Sequence, residues 1–386
     1  MRRWIFIWFA VVLAGGSEPQ QESGFAGLAG ITDNESGVPF LQPGPGERLS
    51  FPEDYGPHPQ HRIEWWYLTA NLKTEDGQPL GLQWTQFRQA IEPRPEDAEP
   101  PDANNWPLEA AWMAHAAVSF DTRHYFAEKL ARGDVGHAGA RAEPIAVWLD
   151  DWQLEAEPAH GSWRLQVAAD GWSYDLTLSI TGKPVAHGDQ GFSAKSADGE
   201  GSMYFSLVDL QIDGRVTLDD QTLDVSGKGW FDREWSSQFL KSGQQGWDWF
   251  ALHLDDHTEL MAFRLRRKDG ARDKYDHGLM VRRDGSTRLL DPEDFMLDPI
   301  QYWVDDSGVR WPVGWKLTVG DKIWRLRAAV ARAGQPRPRV REHGRRGRGA
   351  GGRAREAHRA RAADRRAAHH ADGAGEGLER LARHVD

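Results

Sequence analysis

The sequence predicts an all-β protein. Short alternating apolar runs recur between turn residues, and no segment sustains a helical period. The composition agrees, with 19 Trp, 41 Gly and 21 Pro in 386 residues. That length allows two or three domains, each with its own core.

The strands are read in chain order. Glu64 to Leu72 alternates and then meets the turn-like Thr74-Glu75-Asp76-Gly77. Leu80 to Phe87 and Ala111 to Phe120 follow. Phe126 to Ala131 reads as at most a short turn of helix. Ala146 to Leu149, Trp152 to Glu155, Trp163 to Ala168, Trp172 to Ile180, Met203 to Gln211, Gly214 to Leu218 and Gln221 to Trp230 continue the pattern. Beyond them lie Trp247 to Leu254, Glu259 to Arg266, Asp276 to Val281, Gly314 to Leu317 and Lys322 to Leu326. Evenly spaced strands of this kind build sandwiches or closed barrels, and a barrel can hold one apolar ligand.

The N-terminus reads as an export signal over residues 1–16. Arg2 and Arg3 precede the apolar run Trp4 to Ala14. As a helix this run reaches roughly 16 Å, short of a bilayer core of about 30 Å. Leu13-Ala14-Gly15-Gly16 resembles a lipoprotein box with Gly16 in place of the lipidated cysteine. The alternative is a buried N-terminal strand. Residues 17–45 are polar and rich in Gly and Pro, which reads as a linker. A periplasmic or secreted location is therefore expected, with membrane contact at most peripheral.

Charge is unevenly spread. Residues 331–386 hold fifteen Arg, no Lys and seven acids, whereas the rest of the chain has a net charge of −19. The acidic body argues against a nucleic-acid partner. From Arg325 to Asp386 there is no Ser, Thr, Asn, Lys, Ile, Met, Phe, Tyr or Trp. Every residue type that remains has a codon beginning with G or C, the alphabet of a GC-rich gene read in a shifted frame. The low-complexity basic tail 331–386 is thus read as a frameshift product. The alternative is a disordered Arg-, Ala- and Gly-rich tail that binds anionic partners.

The absence of cysteine excludes a disulfide framework, a thiolate metal site and a cysteine nucleophile. No G-x-S-x-G elbow, P-loop, H-E-x-x-H or dinucleotide fingerprint is present. His58-x-x-His61 has metal-ligand spacing but sits in a Pro-rich turn, which reads as surface loop. No metal and no cofactor are expected.

Acids beside tryptophans carry the chemical interest. A carboxyl walled by indoles is desolvated and stays protonated, so it can act as a general acid. Glu64 beside Trp65 and Trp66, Asp232 and Glu234 between Trp230 and Trp235, and Asp248 between Trp247 and Trp249 have this setting. On a strand, Asp232 and Glu234 share one face and Arg233 takes the other. The competing reading is pairing with Arg62, Arg88 or Arg233. His115 on an apolar strand is a further catalytic candidate, or a satisfied core histidine. Candidate ligand-binding residues are Trp65, Trp66, Trp84, Gln86, Tyr204, Trp235, Trp247 and Trp249.

Three segments carry a resemblance: Phe51 to Leu72 (FPEDYGPHPQHRIEWWYLTANL), Gly227 to Phe239 (GKGWFDREWSSQF) and Gly246 to Gly270 (GWDWFALHLDDHTELMAFRLRRKDG). Ala114-His115-Ala116 and Met203-Tyr204-Phe205-Ser206 lie between them at fitting places. Together they resemble the AttH/CrtC-like family of secreted hydrolase-like proteins and carotenoid 1,2-hydratases, from about Phe51 to about Leu326. The resemblance implies two tandem lipocalin-like (calycin-type) β domains with a site near their interface. It places an N-terminal domain at 46–240 and a C-terminal domain at 241–330. The second lacks the late Trp-Glu-Gly and Gly-x-Gly-Tyr strands of the family and reads as incomplete. The hydratase branch carries a histidine near the segment matching Asp232 to Trp235, where this chain has Arg233 and Glu234.

Two functions follow. One is a hydro-lyase or hydrolase-like enzyme acting on an apolar isoprenoid or lipid-like ligand without metal. The other is a periplasmic carrier of a small lipophilic ligand that serves an ABC transporter. For the tail, a second frame across codons 320–345 is expected to encode a Trp- and Tyr-containing strand pattern. Sequencing that DNA and finding no such frame would make the basic tail genuine.

Overall fold

The computed structural model describes residues 39–94 and 110–328, apart from 134–135, 158, 239–240, 242, 305–307 and 309, together with the backbone of Ile5–Ile7. The remaining signal-like residues, most of the linker and the basic tail lie outside the described residues. Among the described residues the regular structure is β strand, with one short 3-10 turn at Glu53–Tyr55. Among the described residues no helix is long and apolar enough to cross a membrane.

The strands, in chain order, are β1 (Ile5–Ile7), β2 (Ile63–Thr74), β3 (Pro79–Ala90), β4 (Ala110–Phe120), β5 (Arg123–Arg132), β6 (Ala138–Arg141) and β7 (Ala146–Leu149). Then come β8 (Trp152–Glu157), β9 (Ser162–Ala169), β10 (Trp172–Ile180), β11 (Val185–Ala186), β12 (Phe192–Ala194), β13 (Gly201–Leu218) and β14 (Gln221–Ser236). The last seven are β15 (Gln244–His253), β16 (Glu259–Arg267), β17 (His277–Val281), β18 (Thr287–Leu290), β19 (Phe295–Val304), β20 (Arg310–Val319) and β21 (Lys322–Ala328).

One 13-stranded sheet holds β2 to β14, in the order β5-β4-β3-β2-β14-β13-β10-β9-β8-β7-β6, with β11 and β12 pairing β13. Its ends curl back towards each other. Gln86 on β3 donates to the Trp148 carbonyl on β7 at 2.8 Å, and Lys129 on β5 lies 5.1 Å from the Trp152 ring. The result is a nearly closed barrel. Alternation fills it: Trp66, Leu68, Ala70 and Leu72 on β2, Leu80, Leu82 and Trp84 on β3, and Trp112, Ala114, Ala116 and Val118 on β4 point inward.

The second unit is two four-stranded sheets, β15-β16-β17-β18 and β1-β21-β20-β19. They enclose a core that includes Phe250, Leu252, Leu260, Trp315, Leu317 and Leu326. In the second sheet β1 pairs with β21 in parallel, while β19 forms an edge with Ile300, Tyr302 and Val304 exposed. Exposed apolar edges invite pairing with other chains.

Two expectations from the sequence are corrected. Phe126 to Ala131 is part of strand β5, not a helical turn. This strand ends the long sheet and is half-buried along most of its length, so its alternation is faint. Met203–Gln211 and Gly214–Leu218 are one strand, β13. Gly214 continues it at φ 155°, where a Cβ would lie 2.3 Å from the Asp175 carbonyl oxygen.

A β-bulge between Leu207 and Leu210 sets which side chains of β13 face where. Beyond it the even-numbered Leu210 and Ile212 enter the barrel core. Before it Leu207 faces that core, and the even-numbered Tyr204 and Val208 face the second unit. One extra residue therefore reverses the strand's faces.

Glu64 closes one end of the barrel. It is fully buried, and Arg88 and Arg233 both donate to its carboxylate. The two guanidiniums and the nearby His58 hold its pKa well below the usual range, against the upward push of burial, which is the largest effect. Arg233 also lies 3.9 Å from the Trp66 ring centre and donates to His58 Nδ1 at 2.9 Å, while His58 stacks on Trp235 at 3.7 Å. Replacing one partner would strand buried charge. Glu64→Gln is expected to cost about 3–5 kcal/mol in urea unfolding. A loss below about 1 kcal/mol would show that the network is not needed to close the barrel.

Candidate functional site

The outer face of β13 and β14 packs against the second unit, and this junction concentrates the buried polar chemistry. Asp232 and Glu234 share that face of β14, whereas Arg233 points the other way to Glu64. Across the sheet, Asp232 pairs in register with Ser206 on β13 and Tyr67 on β2, and Glu234 with Tyr204 and Trp65.

Asp232 is 3 % exposed. Three donors converge on its Oδ1: the Tyr204 hydroxyl at 3.0 Å, the Trp230 indole N–H at 2.8 Å and the Ser206 hydroxyl. Two of these donors are themselves oriented. The Trp249 indole N–H from the second unit donates to the Tyr204 oxygen at 3.3 Å, and His187 Nε2 lies 2.7 Å from the Ser206 oxygen. An indole N–H can only donate, so the Tyr204 proton is directed to Asp232. The same logic makes His187 Nε2 the protonated nitrogen when Ser206 donates to Asp232.

The three hydrogen bonds occupy Oδ1, so a proton carried by Asp232 sits on Oδ2. Burial, opposed by the three hydrogen bonds and assisted by Glu234, raises the Asp232 pKa to about 7. The acid is thus present in substantial amount at neutral pH.

Aromatic groups wall this carboxyl. Tyr67 and Trp249 meet edge to face at 5.6 Å, Trp230 is 1 % exposed, and His187 stacks on Tyr204 at 3.8 Å. The second unit contributes Phe263, Leu265 and Met261 to the same cluster. Lys195 crosses the junction: its ammonium lies 4.2 Å from the Phe263 ring centre, 2.9 Å from Ser193 Oγ and 3.6 Å from Glu234. Ser202 also donates to Glu234. His277 on β17 sits with its ring centre 6.2 Å from that of His187.

The other residues named from sequence fall elsewhere. Asp248 is buried on the inner face of β15, where Arg264 donates to it at 2.8 Å and Arg266 lies 3.9 Å away. Glu64 is the barrel-end ion pair. Both acids are thus engaged with arginine away from the Asp232 cluster. His115 occupies the same register row as Asp232, three strands away through Tyr67 and Thr85, about 14 Å at ordinary strand spacing. Its neighbours are Phe87, Phe126 and Glu128, and burial lowers its pKa to about 4.

Of the named ligand-binding residues, Tyr204 and Trp249 join the cluster. Trp65 shares its sheet face and lies 6.3 Å from Phe87. Trp66 and Trp84 belong to the packed barrel interior, and the fully buried Gln86 bonds across it to Trp148. Trp235 packs with His58 and Phe205, and Trp247 is exposed. His187, His277, Lys195, Ser202 and Tyr67 were not singled out from sequence. Of these, Tyr67 lies in the quoted segment Phe51 to Leu72, and the other four lie outside every quoted segment. His58 is held by Asp54, Arg233 and Trp235, and His61 is 4 % exposed. Among the described residues no group of three or more His, Asp or Glu is placed to hold a metal ion.

The nearly closed barrel and the second β unit packed on it make a lipocalin-like β fold. The chain belongs to the AttH-like family, which matches residues 42–337. Its structure is similar to a candidate AttH of Nitrosomonas europaea at 31 % identity and TM-score 0.66, covering 76 % of this chain and 88 % of that one. Kievitone hydratase from Nectria haematococca shares the fold at 14 % identity and TM-score 0.51, covering 83 % of each chain. No curated protein matches the sequence.

The raised pKa has a thermodynamic consequence. Unfolded, Asp232 loses its proton near pH 3.8; folded, it keeps it to about 7. Stability from this group is therefore full below about pH 4 and is lost as pH rises through 7. Asp232→Asn keeps the accepting oxygen and removes the titration. It is expected to equal the parent in urea melts at pH 4 and to exceed it by about 2–4 kcal/mol at pH 8. Equal differences at both pH values would place an ionised carboxylate in the folded protein.

Proposed function

We propose that this protein binds an apolar isoprenoid- or lipid-like ligand at the junction of its two β units and hydrates a carbon–carbon double bond there. Asp232 is the proton donor. The observation that carries this reading is the setting of Asp232: a carboxyl buried at the junction, with three donors on Oδ1 and a pKa that burial raises to about 7. An unactivated alkene needs a strong, positioned acid and a dry setting. The developing cation is then stabilised by the faces of Tyr67, Trp230 and Trp249. Membership of the AttH-like family supports the reading, and the fold shared with kievitone hydratase is compatible with it.

A second reading is a carrier that holds the ligand without changing it. What favours it is that Glu234 is tied to Ser202 and neighbours Lys195, so the second carboxylate is not free to act on water. For either reading we propose a cell-envelope setting on the Arg2-Arg3 apolar N-terminus, and an ABC transporter as partner from the family resemblance.

Farnesol and geranylgeraniol serve as probes. Binding is read by quenching of tryptophan fluorescence, and turnover by deuterium gained from D2O. The enzyme reading expects Asp232→Asn to keep probe affinity within about threefold and to lose turnover by about 10²–10⁴-fold. Tight binding with no deuterium gained by the parent protein would leave the carrier reading.

A further inference from the structure

Resting on the hydration reading, we infer that His187 is the base of the reaction: its Nδ1 receives the proton of the attacking water, and Ser206 returns a proton to Asp232. His187 is fully buried and held on three sides. Its ring stacks on Tyr204 at 3.8 Å, its backbone N–H donates to the Tyr204 carbonyl at 3.0 Å, and Nε2 bonds Ser206 Oγ at 2.7 Å. With Nε2–H engaged, Nδ1 carries the lone pair, and among the described residues no side chain or backbone group bonds it. A buried acceptor left this way calls for a polar partner. His277 Nε2, on the opposite unit, is also buried and has no partner among the described residues. The two ring centres are 6.2 Å apart, and a water between the rings is the partner that would serve both nitrogens.

Burial is the main reason that both imidazoles are neutral, with Lys195 adding to it at each. A neutral imidazole is the form that accepts a proton. The groups facing His187 are Ser206, Tyr204, His277 and Lys195.

The step balances without any further reactant. Asp232 Oδ2–H gives its proton to one alkene carbon, leaving a carbocation and a carboxylate. The water oxygen forms a bond to the cationic carbon and passes one proton to His187 Nδ1. His187 gives its Nε2 proton to Ser206 Oγ, which gives its own to Asp232 Oδ1. The product is the alcohol, and the protein ends with the proton count it began with. Exchange with water then restores the starting tautomers.

One variant and one spectroscopic measurement test this circuit. In His187→Gln the amide N–H takes the place of Nε2 and keeps the bond to Ser206, but no base stands at Nδ1. The expected result is a loss of about 100-fold or more in kcat with farnesol affinity unchanged. Turnover within threefold of the parent would overturn the inference. A readout free of turnover is 15N NMR of the parent protein. His187 should be the Nε2–H tautomer, with Nδ1 unprotonated and in cross-relaxation with bound water. Finding the Nδ1–H tautomer, or no water at that nitrogen, would overturn the base assignment. If the parent protein gains no deuterium at all, the hydration reading fails instead, and the NMR result still decides the tautomer and the water seat.

Discussion

Moving a carboxylate out of water costs several kcal/mol unless it is paired with a cation or keeps its proton. This chain buries four tryptophan-flanked acids and uses both solutions; Glu234 takes the first, with the Lys195 ammonium 3.6 Å away. Glu64 and Asp248 meet arginines and become part of the frame. Asp232 meets only neutral donors, which cannot cancel its charge, and burial raises its pKa to about 7. The same burial that would be a cost at Glu64 without Arg88 and Arg233 keeps a proton available on Asp232 up to neutral pH. The rest of the architecture follows from keeping that one group dry: a second β unit lies against the face of β13 and β14 where it sits.

The second unit does more than cover. Trp249 orients the Tyr204 hydroxyl, and Phe263 takes the Lys195 ammonium on its face. The acid's hydrogen-bond network is therefore completed only when the two units are docked. The junction is a working surface as well as a packing surface, and loosening it would change the acid's setting before it changed either core.

Much of the fold was legible in the sequence because alternation is strong wherever one face is buried. Trp172–Ile180 and Ala146–Leu149 end where the pattern ends. Strand β5 was missed because Ala, Glu and Lys on a half-buried sheet end leave little contrast between faces. Strand β19, broken by Pro299 and exposed along its far half, was missed for the same reason. The site was legible only in part. An acid between tryptophans marks burial, but it does not say whether an arginine 16 or 24 residues away will be its partner, as Arg264 and Arg88 are for Asp248 and Glu64. His187 lies in a Gly- and Pro-rich turn with no periodicity to mark it. Its importance comes from a contact with Ser206, 19 residues on, which no local pattern encodes.

The bulge on β13 bears on how this family can diversify. Because one surplus residue near Val208 decides which side chains enter the barrel and which line the joint, length and identity are not interchangeable along this hairpin. A single deletion there would swing Phe205 and Leu207 towards the second unit and drive Tyr204 and Ser206 towards the grease inside. Descendants of such a chain can therefore explore new guests by exchanging letters, while any gain or loss of a letter in this stretch would discard the acid and the fold's filling in one stroke.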